Sequence, residues 1–121
     1  MTEEELQKLL DTLPARDRHD VFVEEAGDQD IRLRFSAAPG ESWTGAALLS
    51  VADTALRAAA GVGASLSHIN VTMLRAAQAA DVISLSRVIR RDGDDVHAEA
   101  WLFSHAPIEP MAHATATLRK A

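Results

Sequence analysis

Asp53 and Arg57 are the first side chains in this sequence with the potential for chemistry, because they interrupt a long apolar stretch. The stretch runs from Trp43 to Ala60 and is apolar on most of its circumference at helical spacing. By default, a carboxylate and a guanidinium four residues apart on a helix form a solvated ion pair worth only a few tenths of a kcal/mol. The apolar surroundings favour a functional role for Asp53 instead.

The five histidines raise a metal site as a second possibility. His97, Glu99 and His105 could share one face of a strand, with His113 on the next strand. Strand alternation places such groups together without any function, because every second side chain points to the same face. We therefore predict no metal site.

A third group with chemical potential is a set of arginines that could meet the phosphates of a ligand: Arg75, Arg87, Arg90 and Arg91. An ordinary charged surface is the alternative interpretation. The acidic residues 92, 94 and 95, which follow the last two arginines directly, weaken the phosphate interpretation.

The elements that must position these side chains follow from the hydrophobic pattern. Thr2 and Glu5 fit a capping box at the start of a short helix. The remaining pattern predicts strands at about 21–25 and 31–35, the long helix, and strands at about 65–74, 81–90, 96–105 and 112–119. Segregated helices and strands indicate the α+β class, and a long apolar helix before consecutive antiparallel strands predicts a sheet wrapped around that helix.

Composition excludes several classes of function. The chain has 121 residues, which suits one domain covering 1–121, and its formal net charge of −6 disfavours nucleic acid as a partner. It has no cysteine, which rules out disulfides and thiolate chemistry. No apolar run approaches the roughly 20 residues needed to span a membrane, and the acidic N-terminus is unlike a signal peptide. We expect a soluble, cytoplasmic protein that does not bind membranes.

Three short motifs, in this order, resemble one family. Residues 44–46 read Thr-Gly-Ala, residues 52–55 read Ala-Asp-Thr-Ala, and residues 71–77 read Val-Thr-Met-Leu-Arg-Ala-Ala, with Asp81 after them. They resemble the central helix and following strand of the PaaI-like (phenylacetic acid degradation) branch of hotdog-fold thioesterases. That branch usually reads His-Gly-Gly, Ala-Asp-Thr-Ala and Phe-Leu-Arg-Pro-Ala. The resemblance covers about residues 43–91.

The resemblance implies a hotdog fold in which two protomers share one continuous sheet, often as a dimer of dimers. The predicted assembly is therefore a homodimer as the minimal unit and a homotetramer beyond it. The resemblance also implies hydrolysis of an acyl-CoA thioester without a metal or an organic cofactor. Asp53 would be the general base or nucleophile, and Gly45 would offer its backbone N–H to the thioester carbonyl. A helix N-terminus suits that second role, because its free N–H groups and partial positive charge favour an oxyanion.

The substrate-binding residues expected from the resemblance are Thr44, Ser67, Arg75 and Arg90. Thr44 stands where the family has histidine, and it could cap the helix instead. Many relatives carry a polar residue on the strand before Arg75; the aligned position is Leu66, which Ser65 and Ser67 flank. The two arginines are the candidates for CoA phosphates.

Two other functions remain open from the sequence. A non-catalytic hotdog module that binds acyl-CoA or a related ligand is the alternative, and the missing histidine at position 44 favours it. A hotdog hydratase or dehydratase would place a histidine together with an acid, and no matching motif is present.

Overall fold

The protein is described by a computed structural model, in which residues 2–13, 20–27, 30–36, 43–75, 80–104 and 109–120 are described. Residues 76 and 77 of the third motif and His105 lie outside this part of the chain. The elements are α1 (Glu3–Asp11), β1 (Val21–Ala26), β2 (Asp30–Phe35), α2 (Gly45–Ala60), β3 (Ser65–Met73), β4 (Val82–Asp92), β5 (Asp95–Ser104) and β6 (Pro110–Arg119). The predicted order of helices and strands is confirmed, with ends that differ by one or two residues.

The six strands form one antiparallel sheet in the order β1-β2-β4-β5-β6-β3. The strands β1 and β2 are neighbours in both sequence and space, and so are β4, β5 and β6, which form a meander. The strand β3 does not join this meander next to β4; it pairs with β6 at the far edge. The reason is that β2 already occupies the free side of β4, so α2 carries the chain across the sheet to its other edge.

The helix α2 packs on one face of the sheet, against small side chains. Ala98 and Ala100 of β5 and Ala112 and Ala114 of β6 are fully buried on this face. Because alanine side chains are short, the helix can lie close to the strands there. These buried positions suit the short side chain of alanine.

Burial divides α2 into two faces. One face lies in the core, with Val51, Ala52 and Ala55 fully buried. The other, which we call the open face, carries Ala46, Leu49, Ser50, Asp53 and Arg57, all exposed or half-buried. The apolar sequence of the helix predicts burial on nearly all sides. That prediction is wrong for the open face, where Leu49 is 45% exposed. This α+β arrangement of a six-stranded antiparallel sheet packed against one long helix, with a short N-terminal helix, is the hotdog fold that the sequence predicts.

None of the helices in the described ranges is long and apolar enough to cross a membrane.

Candidate active site

The start of α2 is capped by Thr44. Its Oγ1 accepts a hydrogen bond from the N–H of Ala47 at 3.1 Å, and its carbonyl accepts from the N–H of Leu48 at 3.0 Å. The predicted capping role of Thr44 is confirmed. Within the described residues, no hydrogen bond engages the N–H groups of Gly45 and Ala46. Two donors therefore remain free at the positive end of the helix dipole.

Gly45 lies at the surface of the protomer with open space in front of it. A Cβ atom placed on Gly45 would meet no heavy atom within 4 Å, and its φ is not in the left-handed region. The local fold therefore does not require glycine at this position. A ligand or a second protein chain has room to approach this backbone closely.

Replacing Thr44 by alanine should lower the free energy of unfolding by about 1 kcal/mol, because the N–H of Ala47 loses its partner. Urea denaturation at neutral pH measures this difference. Thr44→Ser is the matched control, since serine keeps the accepting hydroxyl and should unfold close to the native midpoint. Equal midpoints for the alanine and serine variants would contradict a capping role.

Asp53 and Arg57 form an i,i+4 ion pair on the open face. Arg57 Nε donates to Asp53 Oδ1 at 2.9 Å, and the two side chains are 24% and 33% exposed. The pair is therefore half-buried rather than fully solvated. The second carboxylate oxygen, Oδ2, makes no hydrogen bond within the described residues. It is free to accept a proton from water or to attack a carbonyl carbon.

Gly45 and Asp53 are eight residues apart on α2. At a rise of about 1.5 Å per residue, they are separated by about 12 Å along the helix axis. Attack on a carbonyl needs a reacting group within roughly 3–3.5 Å of the carbon and an oxyanion donor about 3 Å from its oxygen. A single protomer therefore does not bring Gly45 and Asp53 to the same thioester carbonyl.

Ser67 lies on β3, which pairs with β6 on one side only within the described residues. The register between these strands shifts between Leu66 and His68, which leaves Ser67 as the extra residue of a β-bulge. Bulges re-aim side chains and often lie beside functional sites. Ser67 is exposed, and periodicity alone does not reveal such a bulge.

Arg75 and Arg90 lie at opposite ends of the sheet. Arg75 follows β3, where its N–H donates to Met111 O at 3.1 Å and its Nε lies 3.6 Å from Glu109 Oε2. Trp43 Nε1 donates to Ala80 O at 2.7 Å, which places the start of α2 at the same end of the sheet.

Arg90 lies on the exposed surface of β4. It is eight residues beyond the start of that strand, a distance of about 26 Å at about 3.3 Å per residue. Of Arg75 and Arg90, Arg75 alone lies at the same end of the sheet as the start of α2 within one protomer.

His97, Glu99 and His113 lie on the sheet face opposite α2. His113 Nε2 is 3.0 Å from Glu99 Oε1, and Arg87 Nε donates to Glu99 Oε2 at 2.6 Å. The hydrogen bond with His113, followed by that with Arg87, lowers the pKa of the Glu99 carboxyl below its ordinary value. His97 Nδ1 is 3.2 Å from Thr117 Oγ1 instead. In the part of the chain that is described, no group of three metal-ligating side chains comes together.

Several solved structures, among them proteins described as thioesterases, have a similar fold. No protein-family model and no curated protein sequence matches the chain. Among solved structures, a candidate thioesterase from Silicibacter sp. is similar over 98% of this chain and 91% of its own, with a TM-score of 0.84 and 18% identity. A phenylacetic acid degradation-related protein from Ralstonia eutropha is similar over 94% of this chain and 98% of its own, with a TM-score of 0.75 and 19% identity.

The PaaI protein of the E. coli phenylacetic acid degradation operon is similar over 98% of this chain and 95% of its own, with a TM-score of 0.76 and 12% identity. The structure thus has the hotdog fold of thioesterase-superfamily proteins, including PaaI, as the motifs around α2 predict. At these identities the likeness establishes the fold, and the chemistry is argued from the residues of this chain.

Proposed function

We propose that this protein hydrolyses an acyl-CoA thioester. Asp53 acts as general base or nucleophile, and the N–H of Gly45 donates to the developing oxyanion. The observation that carries the proposal is the arrangement of α2. It combines free N–H groups at its start with a carboxylate on its open face, one oxygen of which is unengaged. These are the two groups that thioester hydrolysis needs, on the fold that thioesterases use.

The active site is built from two copies of the chain. The separation of about 12 Å between Gly45 and Asp53 along α2 requires that the two groups acting on one carbonyl come from different protomers. The nine-residue edge strand β3 offers the means, since an unpaired edge is a template for another strand. Antiparallel pairing of β3 with its symmetry copy would extend the sheet and set two α2 helices side by side. A homodimer is thus the minimal unit, and two dimers would form the tetramer.

The binding residues follow from the same assembly. In an antiparallel β3 pair, the end that carries Arg75 lies beside the partner's end that carries Ser67. These two positions can therefore face one substrate that lies along the dimer seam, with Arg75 available to a CoA phosphate. Arg90 would reach that substrate only from another protomer. Thr44 contributes by capping the helix end that receives the oxyanion.

The test is release of free CoA from a panel of acyl-CoAs with short, long and aromatic acyl groups. Because the chain contains no cysteine, a thiol reagent reports only the CoA that is released. We expect multiple turnovers on at least one substrate, with kcat within the roughly 1–10³ s⁻¹ typical of enzymes. Calorimetric binding of acyl-CoA without turnover of any member would contradict hydrolysis. That result would establish the alternative, an acyl-CoA-binding module, which threonine in place of the family histidine favours.

A further inference from the structure

Arg57 is held at two points, which sets it apart from a surface arginine. Its Nε donates to Asp53, and its Nη1 donates to the carbonyl of Ala64, beyond the end of α2. The chain reverses at Gly61, whose φ of 130° is in the region that favours glycine. The N–H of Ala64 closes this turn on the carbonyl of Gly61 at 3.0 Å. The turn thereby delivers a main-chain acceptor to the guanidinium.

The two-point attachment fixes the orientation of the pair. A guanidinium is planar, so fixing Nε and Nη1 leaves little freedom for its plane. The carboxylate that accepts from Nε is then held through Oδ1, while Oδ2 stays free. The ion pair Glu4–Lys8 has the same spacing but a separation of 3.9 Å, and its side chains are 83% and 78% exposed. Asp53–Arg57 instead combines a contact of 2.9 Å with half-buried side chains and a hydrogen bond from the arginine to a main-chain carbonyl.

We propose that Arg57 is a positioning residue for Asp53. It holds the carboxylate in one rotamer and keeps Oδ2 available for the reaction, while it does not itself touch the substrate. This inference rests on the proposed thioesterase function. Reaction rates are sensitive to such placement, because an error of about 1 Å at the reacting group can lower a rate by roughly a hundredfold.

The first measurement compares kcat and KM of Arg57→Met, Arg57→Lys and the native protein on the best acyl-CoA. For Arg57→Met we expect kcat to fall about 10- to 100-fold, with KM changing less than about twofold. Arg57→Lys should recover part of kcat, because lysine keeps the charge but cannot make both contacts. The matched control is Arg32→Met. Arg32 and Glu24 also form a half-buried ion pair, with side chains 34% and 28% exposed, so the control removes the same charge from β2.

The second measurement is independent of activity. The Hα–Hβ scalar couplings of Asp53, from NMR of selectively labelled protein, should indicate a single rotamer in the native chain and in Arg32→Met. In Arg57→Met they should average over rotamers. If the native protein turns over no acyl-CoA, the proposed function fails, and these couplings alone decide whether Arg57 positions Asp53. The couplings are also measured in Arg57→Lys, so the test survives if the methionine variant does not fold.

Three results would overturn the inference. The first is a single Asp53 rotamer in Arg57→Met and Arg57→Lys, whatever happens to kcat. The second is an unchanged kcat for Arg57→Met in a protein that is otherwise active. The third is a fall of kcat in Arg32→Met equal to that in Arg57→Met, since the effect would then follow net charge rather than position.

Discussion

Replacing Asp53 with asparagine should lower kcat for acyl-CoA hydrolysis by about 10³-fold or more. The reason is that asparagine neither accepts the proton of an attacking water nor attacks a thioester itself, and loss of a general base alone costs roughly 10²–10⁴. Asparagine has the same shape, and its carbonyl oxygen can still accept from Arg57 Nε. KM should therefore change little, and stability should fall by less than about 1 kcal/mol, because both side chains are partly solvated.

Steady-state CoA release, together with urea unfolding, separates these effects. Mass spectrometry of the variant is the necessary control, since deamidation of asparagine would restore the native carboxylate. Equal kcat values for the native protein and a verified Asp53→Asn variant would remove Asp53 from the mechanism.

Replacing Gly45 with proline should abolish the oxyanion donor while preserving the helix. Proline removes the N–H at the first helical position, where no intrahelical bond is lost and proline is favoured. The preceding Thr44 has φ −83° and ψ 164°, the extended conformation that a following proline requires. A Cβ atom at position 45 meets no heavy atom within 4 Å. Removal of one oxyanion donor typically costs about 10²–10³ in kcat.

The control for Gly45→Pro is Gly45→Ala, which keeps the N–H and adds only a methyl group. We expect the alanine variant to retain much more activity than the proline variant, and both to unfold at or above the native urea midpoint. Similar kcat values for Gly45→Pro and the native protein would exclude the N–H of Gly45 as the oxyanion donor. A large drop in stability would instead contradict the described start of α2.

Mixing these two variants tests the two-chain site directly. If Asp53 of one protomer acts with Gly45 of the other, a heterodimer of Asp53→Asn and Gly45→Pro contains one intact site and one site with both defects. Unfolding and refolding an equal mixture should then restore up to about a quarter of native activity, since half of the random dimers are mixed and each has one intact site. No recovery, with mixed dimers shown by native mass spectrometry, would place both groups in one protomer.

The sequence was sufficient to predict the parts of this fold that depend on local patterns. The alternation of residues 96–104 predicts β5, and Gly93, with a φ of 63°, lies in the two-residue turn that joins β4 to β5 where the Asp-Gly-Asp segment predicts a turn. The cap at Thr44 and the pairing of Asp53 with Arg57 are likewise local, because they depend on spacings of three and four residues along one helix.

The remainder depends on contacts between residues far apart in sequence. Periodicity does not reveal that β3 pairs with β6, nor that the register slips at Ser67. The hydrogen bond from Arg57 to the carbonyl of Ala64 requires the turn at Gly61. A glycine after a helix predicts that the helix ends there, but it does not predict the path of the chain that follows. The exposure of Leu49 likewise depends on contacts between residues far apart in sequence. An apolar pattern shows how much surface a helix could bury, but not how much of that surface the protomer does bury.

Because α2 has a core face and an open face, substitutions on its two faces have different consequences. Substitutions at Ala46, Leu49 or Ser50 change the surface beside Asp53 that an acyl group would meet, yet they leave the close-packed alanines under the helix unchanged. We therefore expect that substitutions at these positions can change the substrate preference without an equal loss of thermodynamic stability. Under the proposed thioesterase function, a scaffold of this kind can change its acyl preference in single steps, which is a property of its evolvability rather than of its catalysis.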